Sequence, residues 1–174
     1  MLNKILDTIK NKKWFFIGLL VALCIIIIDQ ITKNYSVNLI EEIIRKTNGI
    51  HTHIKKTSFF NIVLVYNKGI SFGMFHNIDF MFNVIFIVIS FISALVLYLS
   101  WKSKDFVEIL CFSFIFGGAI GNIIDRINYG AVVDFLDFHI KNAHWPAFNV
   151  ADSCIFIGVI CYIIRDLFVK NDSK

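Results

Sequence analysis

Asp134 and Asp152 are the two carboxylates best placed to do chemistry in this chain. Asp134 sits between Val133 and Phe135 in the stretch Gly117–Phe138, GGAIGNIIDRINYGAVVDFLDF, and Asp152 sits in Phe148–Ser153, FNVADS, at the mouth of the last apolar segment. Ionisable groups placed where hydrocarbon meets water are costly and usually functional. Two carboxylates held close cannot both ionise easily, so one keeps a proton while the other acts as a base. Such a pair activates water against an amide and then protonates the leaving nitrogen. A plain structural alternative makes Asp152 a helix N-cap and Asp134 a loop residue. Spacing alone leaves both readings open.

Other polar groups crowd the same stretches. Gly118, Asn122 and Asp125 share one helical face. Asp125-Arg126 reads either as an interfacial ion pair or as a holder for a substrate backbone. Asp29 and Lys33, at i and i+4, read as a structural pair. Asn149 precedes Asp152 by three residues and suits a helix cap or a donor to a substrate carbonyl. The run VVDFLDFHI alternates like a strand, placing Asp134 with Leu136 and Phe138, and Asp137 with Phe135 and His139. A carboxylate on the more apolar face needs a reason, which favours Asp134 over Asp137. His139 has no evident partner and reads as surface.

No metal centre or cofactor is expected. His51 and His53 have no third ligand nearby and read as a solvated loop. Cys24, Cys111, Cys154 and Cys161 lie inside apolar runs without CxxC or Cys/His spacing, so they read as buried small hydrophobes.

The elements that must position these groups are membrane helices. The chain has 174 residues, room for one domain, and is 57% hydrophobic with a mean hydropathy of +0.70, 19 Phe and a single Pro. That is too apolar for a soluble core of this size. A formal charge of +4 with no dense basic stripe makes nucleic acid a poor partner. Trp14 to Ile28 gives 15 uncharged residues after a lysine-rich start; no small-x-small cleavage pattern follows, so it reads as an uncleaved first transmembrane helix over about 14–33. Phe80 to Trp101 gives 22 uncharged residues, and Ile109–Ile124 and Ser153–Ile164 are shorter apolar runs. These predict further spans over about 79–101, 106–125 and 150–169. Within the polar excursion 34–77, Leu39, Ile40, Ile43 and Ile44 recur at helical spacing, predicting a short surface helix. Ser58–Tyr66 reads as a strand, followed by a turn at Asn67-Lys68-Gly69.

Four spans put both termini on one side. Lys/Arg density near the helix ends points to the cytoplasm: four in the first 13 residues and two in the loop 102–105, against five in the 44 residues of 34–77. Alternating direction then brings Asp29, Asn67, Asp125 and Asp152 to the outer face, with Asp134 in the outer loop 126–149.

The residues that carry this pattern resemble the bacterial lipoprotein signal peptidases (signal peptidase II). The resemblance covers most of the chain through Asp29-Gln30-x-x-Lys33, Asn67-x-Gly69 with Phe72-Gly73, GGAIGNIIDRINYGAVVDFLDF and FNVADS. It implies a mainly α membrane fold: a four-helix transmembrane bundle with a small extracytoplasmic β-rich cradle. It implies an aspartyl endopeptidase of the cell membrane that cuts lipid-modified prolipoproteins N-terminal to a diacylglyceryl-cysteine. Asp134 and Asp152 match the catalytic pair. Asp29, Lys33, Asn67, Gly69, Asn122, Asp125, Arg126, Asn149 and Ala151 match positions that support the site or contact substrate and the peptide-like inhibitor globomycin. On that reading Asp125 is structural, in keeping with its neighbour Arg126. Ile70-Ser71 departs from the small residues usual after Asn-x-Gly and is expected to narrow substrate choice.

Two other classes compete. A small membrane carrier or proton-pathway subunit also uses intramembrane carboxylates. Against it, the acids gather at one face, and no repeat or discontinuous helix pair is visible. A structural subunit would tolerate amide replacement of the carboxylates.

Overall fold

Hydropathy and the placement of helix breakers account for most of the architecture. The computed structural model describes residues 12–49, 53–69 and 78–172. In chain order the elements are α1 (Lys13–Lys46), β1 (His53–Lys55), β2 (Phe60–Asn67), α2 (Ile78–Lys102), α3 (Phe106–Tyr129), β3 (Val132–Ile140), β4 (Ala143–His144) and α4 (Val150–Asp172). Three helical segments, Lys13–Lys46, Asn83–Lys102 and Phe106–Tyr129, are long and apolar enough to cross a membrane. The last helix, α4, is 23 residues long and carries Asp152, Arg165, Asp166 and Lys170. Large apolar side chains such as Leu20, Ile31, Ile87, Phe91 and Phe156 are exposed on the outside of the bundle, as lipid-facing positions should be.

The first helix differs from expectation. The predicted surface helix around residues 39–46 is not separate: α1 runs unbroken for 34 residues. At 1.5 Å per residue that is about 50 Å, well beyond a hydrocarbon core of about 30 Å. Nothing stops it earlier, because after Gly18 it holds neither Gly nor Pro. It ends at Asn48 (φ 48°) and Gly49 (φ 81°), whose N–H donates to Ile44 O at 2.9 Å. Cleaner signals bound α3. Asp105 accepts from Glu108 N at 2.7 Å at its start, and Gly130 (φ 64°) closes its end.

Two further corrections concern local readings. His53 lies in β1 and not in a loop, while His51, Ile70-Ser71 and Phe72-Gly73 fall outside the described residues. Cys111 is buried, but Cys24 and Cys161 face outward, where they act as small hydrophobes towards lipid.

α3 packs against all three other helices, and glycines make this possible. A Cβ at Gly117 would lie 2.9 Å from Ala22 O of α1, and one at Gly121 would lie 2.5 Å from Asp29 Oδ2. A Cβ at Gly118 would strike Ala151 O of α4. One helix is thus pressed between two neighbours through small residues on adjacent faces.

The strands form an antiparallel sheet in the order β1-β2-β3-β4 at one end of the bundle. The β2–β3 register slips between the pairs Ile62↔Leu136 and Val65↔Asp134, so two residues of β2 oppose Phe135 alone. This bulge reverses the in/out parity of β2. Asn61 therefore shares a face with Asp137, and Asn67 shares the opposite face with Asp134. At the other end of the bundle, Trp14 packs on Phe106 (4.6 Å) and Phe15 on Trp101 (4.9 Å), with Lys12 over the Trp101 ring. This is an interfacial aromatic layer.

Gly121→Ala is expected to cost about 1–3 kcal/mol through overpacking against Asp29. The lipid-facing Cys24→Ala should stay within about 0.5 kcal/mol. Thermal unfolding in detergent compares the two.

Candidate active site

The site is assembled around one buried ammonium. Lys33 Nζ lies 2.8 Å from Asp29 Oδ2, 2.8 Å from Asp125 Oδ2 and 2.9 Å from Asn122 Oδ1. Three acceptors use all three of its donors. Lys33, Asp29 and Asp125 are respectively 2%, 0% and 1% exposed, so this is an interior network. The expected Asp29–Lys33 pair is present as part of it. Of the two readings of Asp125-Arg126, the ion pair is not formed: Asp125 takes Lys33, and Arg126 Nη1 donates to Asn122 O at 3.2 Å. One helical turn of α1 and the end of α3 outcompete the sequence neighbour, because adjacent helical residues point in different directions.

Each carboxylate of the network also holds a backbone N–H beside a candidate catalytic residue. Asp125 Oδ2 accepts from Val133 N at 3.0 Å, next to Asp134. Asp29 Oδ1 accepts from Ala151 N at 2.9 Å, next to Asp152. Ala151 is fully buried where α4 crosses Gly118 and Gly121, so its small side chain and its N–H are both used.

Two asparagines join the candidate pair. Because Lys33 can only donate, Asn122 Oδ1 must face it, which turns Asn122 Nδ2 towards Asp152 Oδ1 at 2.7 Å. Asn149 Oδ1 accepts from Asp152 N at 2.9 Å, capping α4, and its Nδ2 donates to Asp134 Oδ1 at 2.8 Å and Asn122 Oδ1 at 3.2 Å. Asn149 thus caps α4, the first of the two readings its spacing allowed, and its amide nitrogen is turned to a carboxylate of the chain itself. The cap of α4 is Asn149 and not Asp152, which leaves the Asp152 carboxylate free of that duty. Asn67 Nδ2 reaches the second oxygen of Asp134 at 2.9 Å, while its Oδ1 accepts from Gly69 N at 2.8 Å. Gly69 has φ 78°, a left-handed conformation that this turn requires.

The carboxyl of Asp134 is 1% exposed. Burial pushes it up to about 6, opposed by the Asn67 donor, reinforced by the charge of Asp152, and opposed again by Asn149 and Lys33. Asp152 is partly exposed at the start of α4. The two carboxyl groups therefore sit in unequal surroundings, the arrangement that separates an acid from a base.

Sequence reasoning missed two features. Gln30 Nε2 donates to Asp125 Oδ1 at 2.9 Å and to Gly121 O at 3.2 Å, closing the network from α1. Its place between Asp29 and Lys33 was the available signal. Asp137 is also buried, where it accepts from Asn61 Nδ2 at 2.8 Å and contacts His144 Nδ1 at 2.8 Å. His139, read as surface, has a partner, since its ring stacks on His144 at 4.8 Å. Among the described residues no group of three or more His, Cys, Asp or Glu is placed to hold a metal ion.

Apolar helices long enough to cross a membrane, with a polar site at one end of the bundle, define a membrane protein, and known membrane enzymes resemble this chain. A solved bacterial membrane enzyme, determined by the in meso method at 2.3 Å, superposes with a TM-score of 0.67 at 33% identity over 90% of this chain and 91% of the other. The lipoprotein signal peptidase of Anaplasma phagocytophilum is 40% identical, covering 87% of this chain and 92% of the relative. That of Thermodesulfovibrio yellowstonii is 42% identical, covering 82% and 89%. Residues 21–168 match the family Signal peptidase (SPase) II. The chain belongs to the signal peptidase II family of aspartic peptidases, which remove signal peptides from prolipoproteins. These findings favour the peptidase over a carrier or proton-pathway subunit.

Lys33→Met would leave two buried carboxylates without their cation. It should destabilise the protein by about 3–5 kcal/mol, read as a lowered Tm in detergent. Lys33→Met combined with Asp125→Asn should recover part of that loss.

Proposed function

We propose that Asp134 and Asp152 are the catalytic pair of a peptidase that cuts diacylglyceryl-modified prolipoproteins N-terminal to the lipidated cysteine. The observation that carries this reading is the Asn122–Asn149 link, which ties both carboxylates into one hydrogen-bonded unit with consistent amide polarity. Asp152 acts as the base, taking a proton from water as its oxygen attacks the scissile carbonyl carbon. Asp134 holds the proton that hydrogen-bonds to the carbonyl oxygen as negative charge develops there. The tetrahedral intermediate collapses when the proton held on Asp152 passes to the amide nitrogen and the C–N bond breaks.

Asn67, Gly69 and Arg126 border the substrate path in this reading. Arg126 Nε is buried without a hydrogen-bond partner among the described residues and is suited to a substrate carbonyl. A peptide-like inhibitor such as globomycin would compete for the same donors. Asp29, Lys33, Asn122, Asp125, Asn149 and Ala151 position the pair from behind.

The chain is a single domain with four spans, both termini in the cytoplasm and the sheet on the outer face of the cell membrane. The lysines at the end of the bundle opposite the carboxylates, Lys12, Lys13 and Lys102 among them, support this orientation. The acyl chains of the substrate stay in the bilayer while its peptide enters between the helices and the sheet.

Asp134→Asn and Asp152→Asn should each lower prolipoprotein cleavage in purified membranes by roughly 10²–10⁴-fold or more, with the fold retained. Normal processing by either variant would refute the assignment. The pH dependence has a defined sign. Asp134 binds its proton more tightly in the folded state, so its stabilising contribution is present below the ordinary carboxylate range and is lost as pH rises through about 6. Asp134→Asn should therefore flatten the dependence of Tm on pH in that window. Loss of the Asp134 proton should likewise make kcat/KM of the wild type fall as pH rises through about 6.

A further inference from the structure

Four lysines gather at the end of the bundle away from the carboxylates: Lys12 and Lys13 at the start of α1, and Lys102 and Lys104 where α2 connects to α3. None of them has an acidic partner among the described residues. Asp105 and Glu108, the acids nearest that connection in sequence, are already engaged. Arg165 of α4 lies 3.2 Å from Asp105 and 4.0 Å from Glu108. Asp105 also accepts from Glu108 N at 2.7 Å, and Ser103 Oγ donates to Glu108 Oε2 at 2.6 Å. With Ser103 N on Leu99 O at 2.9 Å, these bonds fix the connection. They leave Lys104 without a partner among the described residues.

Lys12 is held from the other side. Its ammonium lies over the Trp101 ring, 4.7 Å from the centroid, and donates to Trp101 O in the last turn of α2. That carbonyl is one of those a helix end leaves unpaired. One of three ammonium donors is used, which leaves two for a ligand. Between the two lysines lies a cavity of about 450 Å³, lined by Lys12, Trp14, Phe15, Ser103, Lys104 and Ile109. Phe15 and Ile109 are buried and form its floor, while Trp14 and Lys104 are exposed at its rim. The cavity lies in the aromatic layer of Trp14, Phe15, Trp101 and Phe106, the level at which a bilayer presents its headgroups.

We infer that this cavity is a binding site for an anionic glycerophospholipid. Lys12 and Lys104 take its phosphodiester, and Trp14, Phe15 and Ile109 lie against its glycerol and first acyl carbons. The occupant follows from charge and depth. Two cations and no anion line the cavity, so it favours a negative group. The apolar floor offers nothing to a hydrated inorganic anion, whereas a lipid of the adjoining leaflet presents phosphate and hydrocarbon together. A zwitterionic headgroup would set its own ammonium against the two lysines. The site is independent of the catalytic assignment. Under the orientation proposed above, its lipid comes from the cytoplasmic leaflet.

The test uses the full-length enzyme in neutral detergent micelles, titrated with dioctanoyl phosphatidylglycerol and read by native mass spectrometry. One phosphatidylglycerol should bind saturably, and dioctanoyl phosphatidylcholine should bind more weakly by roughly 10-fold or more. Lys12→Gln and Lys104→Gln should each weaken phosphatidylglycerol binding by roughly 5-fold, and the two together by roughly 25-fold. Lys13→Gln/Lys102→Gln removes the same charge from the same end but outside the cavity, and should change binding by less than about 2-fold. An equal loss in that control overturns the inference, because it would reduce the site to a general positive field. Equal affinity for phosphatidylcholine also overturns it. So does displacement by inorganic phosphate at a concentration similar to the lipid's, which would assign the lysines to a free anion. If Lys12→Gln fails to fold, Lys104→Gln and Lys104→Glu decide, and unchanged binding in both overturns the inference.

Discussion

The buried Lys33 ammonium is the interaction on which the rest of the structure depends. A lone cation at this depth would be expensive, and so would either carboxylate. Together, Lys33, Asp29 and Asp125 cancel most of that cost, and Asn122 and Gln30 take up further hydrogen-bonding capacity. The consequence reaches beyond stability. Asp125 grips the N–H before Asp134, Asp29 grips the N–H before Asp152, and Asn122 is forced to aim its amide nitrogen at Asp152. One cation thus sets the backbone position behind each candidate catalytic carboxylate and the polarity of the link between them.

Such a network works only if it is dry, and dryness requires the helices to touch. Gly117 and Gly121 let α3 meet α1, and Gly118 lets it meet Ala151 of α4. The Gly121 contact falls on Asp29 itself, so close packing and charge burial occur at the same atom. Without a water-driven hydrophobic effect between spans, these contacts and the buried polar network hold the helices together. The glycines of the Gly117–Gly121 run are as much a part of the site as the aspartates they bring together.

Much of this was legible in the chain. Apolar run lengths located the helices, and Asp29/Lys33 at i, i+4 announced a pair. Alternation in VVDFLDFHI picked Asp134, whose neighbour across β2 is Val65. What stayed hidden has definite physical causes. The length of α1 was missed because charged residues were read as an end to the helix, although only a breaker or a cap ends one. The Asp125–Lys33 pair was missed because Lys33 is distant in sequence and close only after α1 and α3 pack. Asp137 was set aside because its partners, Asn61 and His144, come together through strand pairing. A bulge in β2 leaves no reliable trace in a period-two pattern, yet it decides which asparagine serves which aspartate.

That bulge explains how one short strand can meet two opposed demands. In the proposed mechanism Asp134 must stay in a setting where its charge is unfavourable, because a proton held near neutrality is what acid–base work requires. Asp137, three residues on, is held ionised by Asn61 and His144 and serves as an anchor. Had β2 paired with β3 in unbroken register, Asn61 and Asn67 would point to the same face, and one aspartate would lose the amide donor that β2 supplies. A single extra residue gives each carboxylate its own partner on its own side. The destabilised carboxyl can then be tolerated because the opposite face of the same strand, and the Lys33 network at its start, are well satisfied.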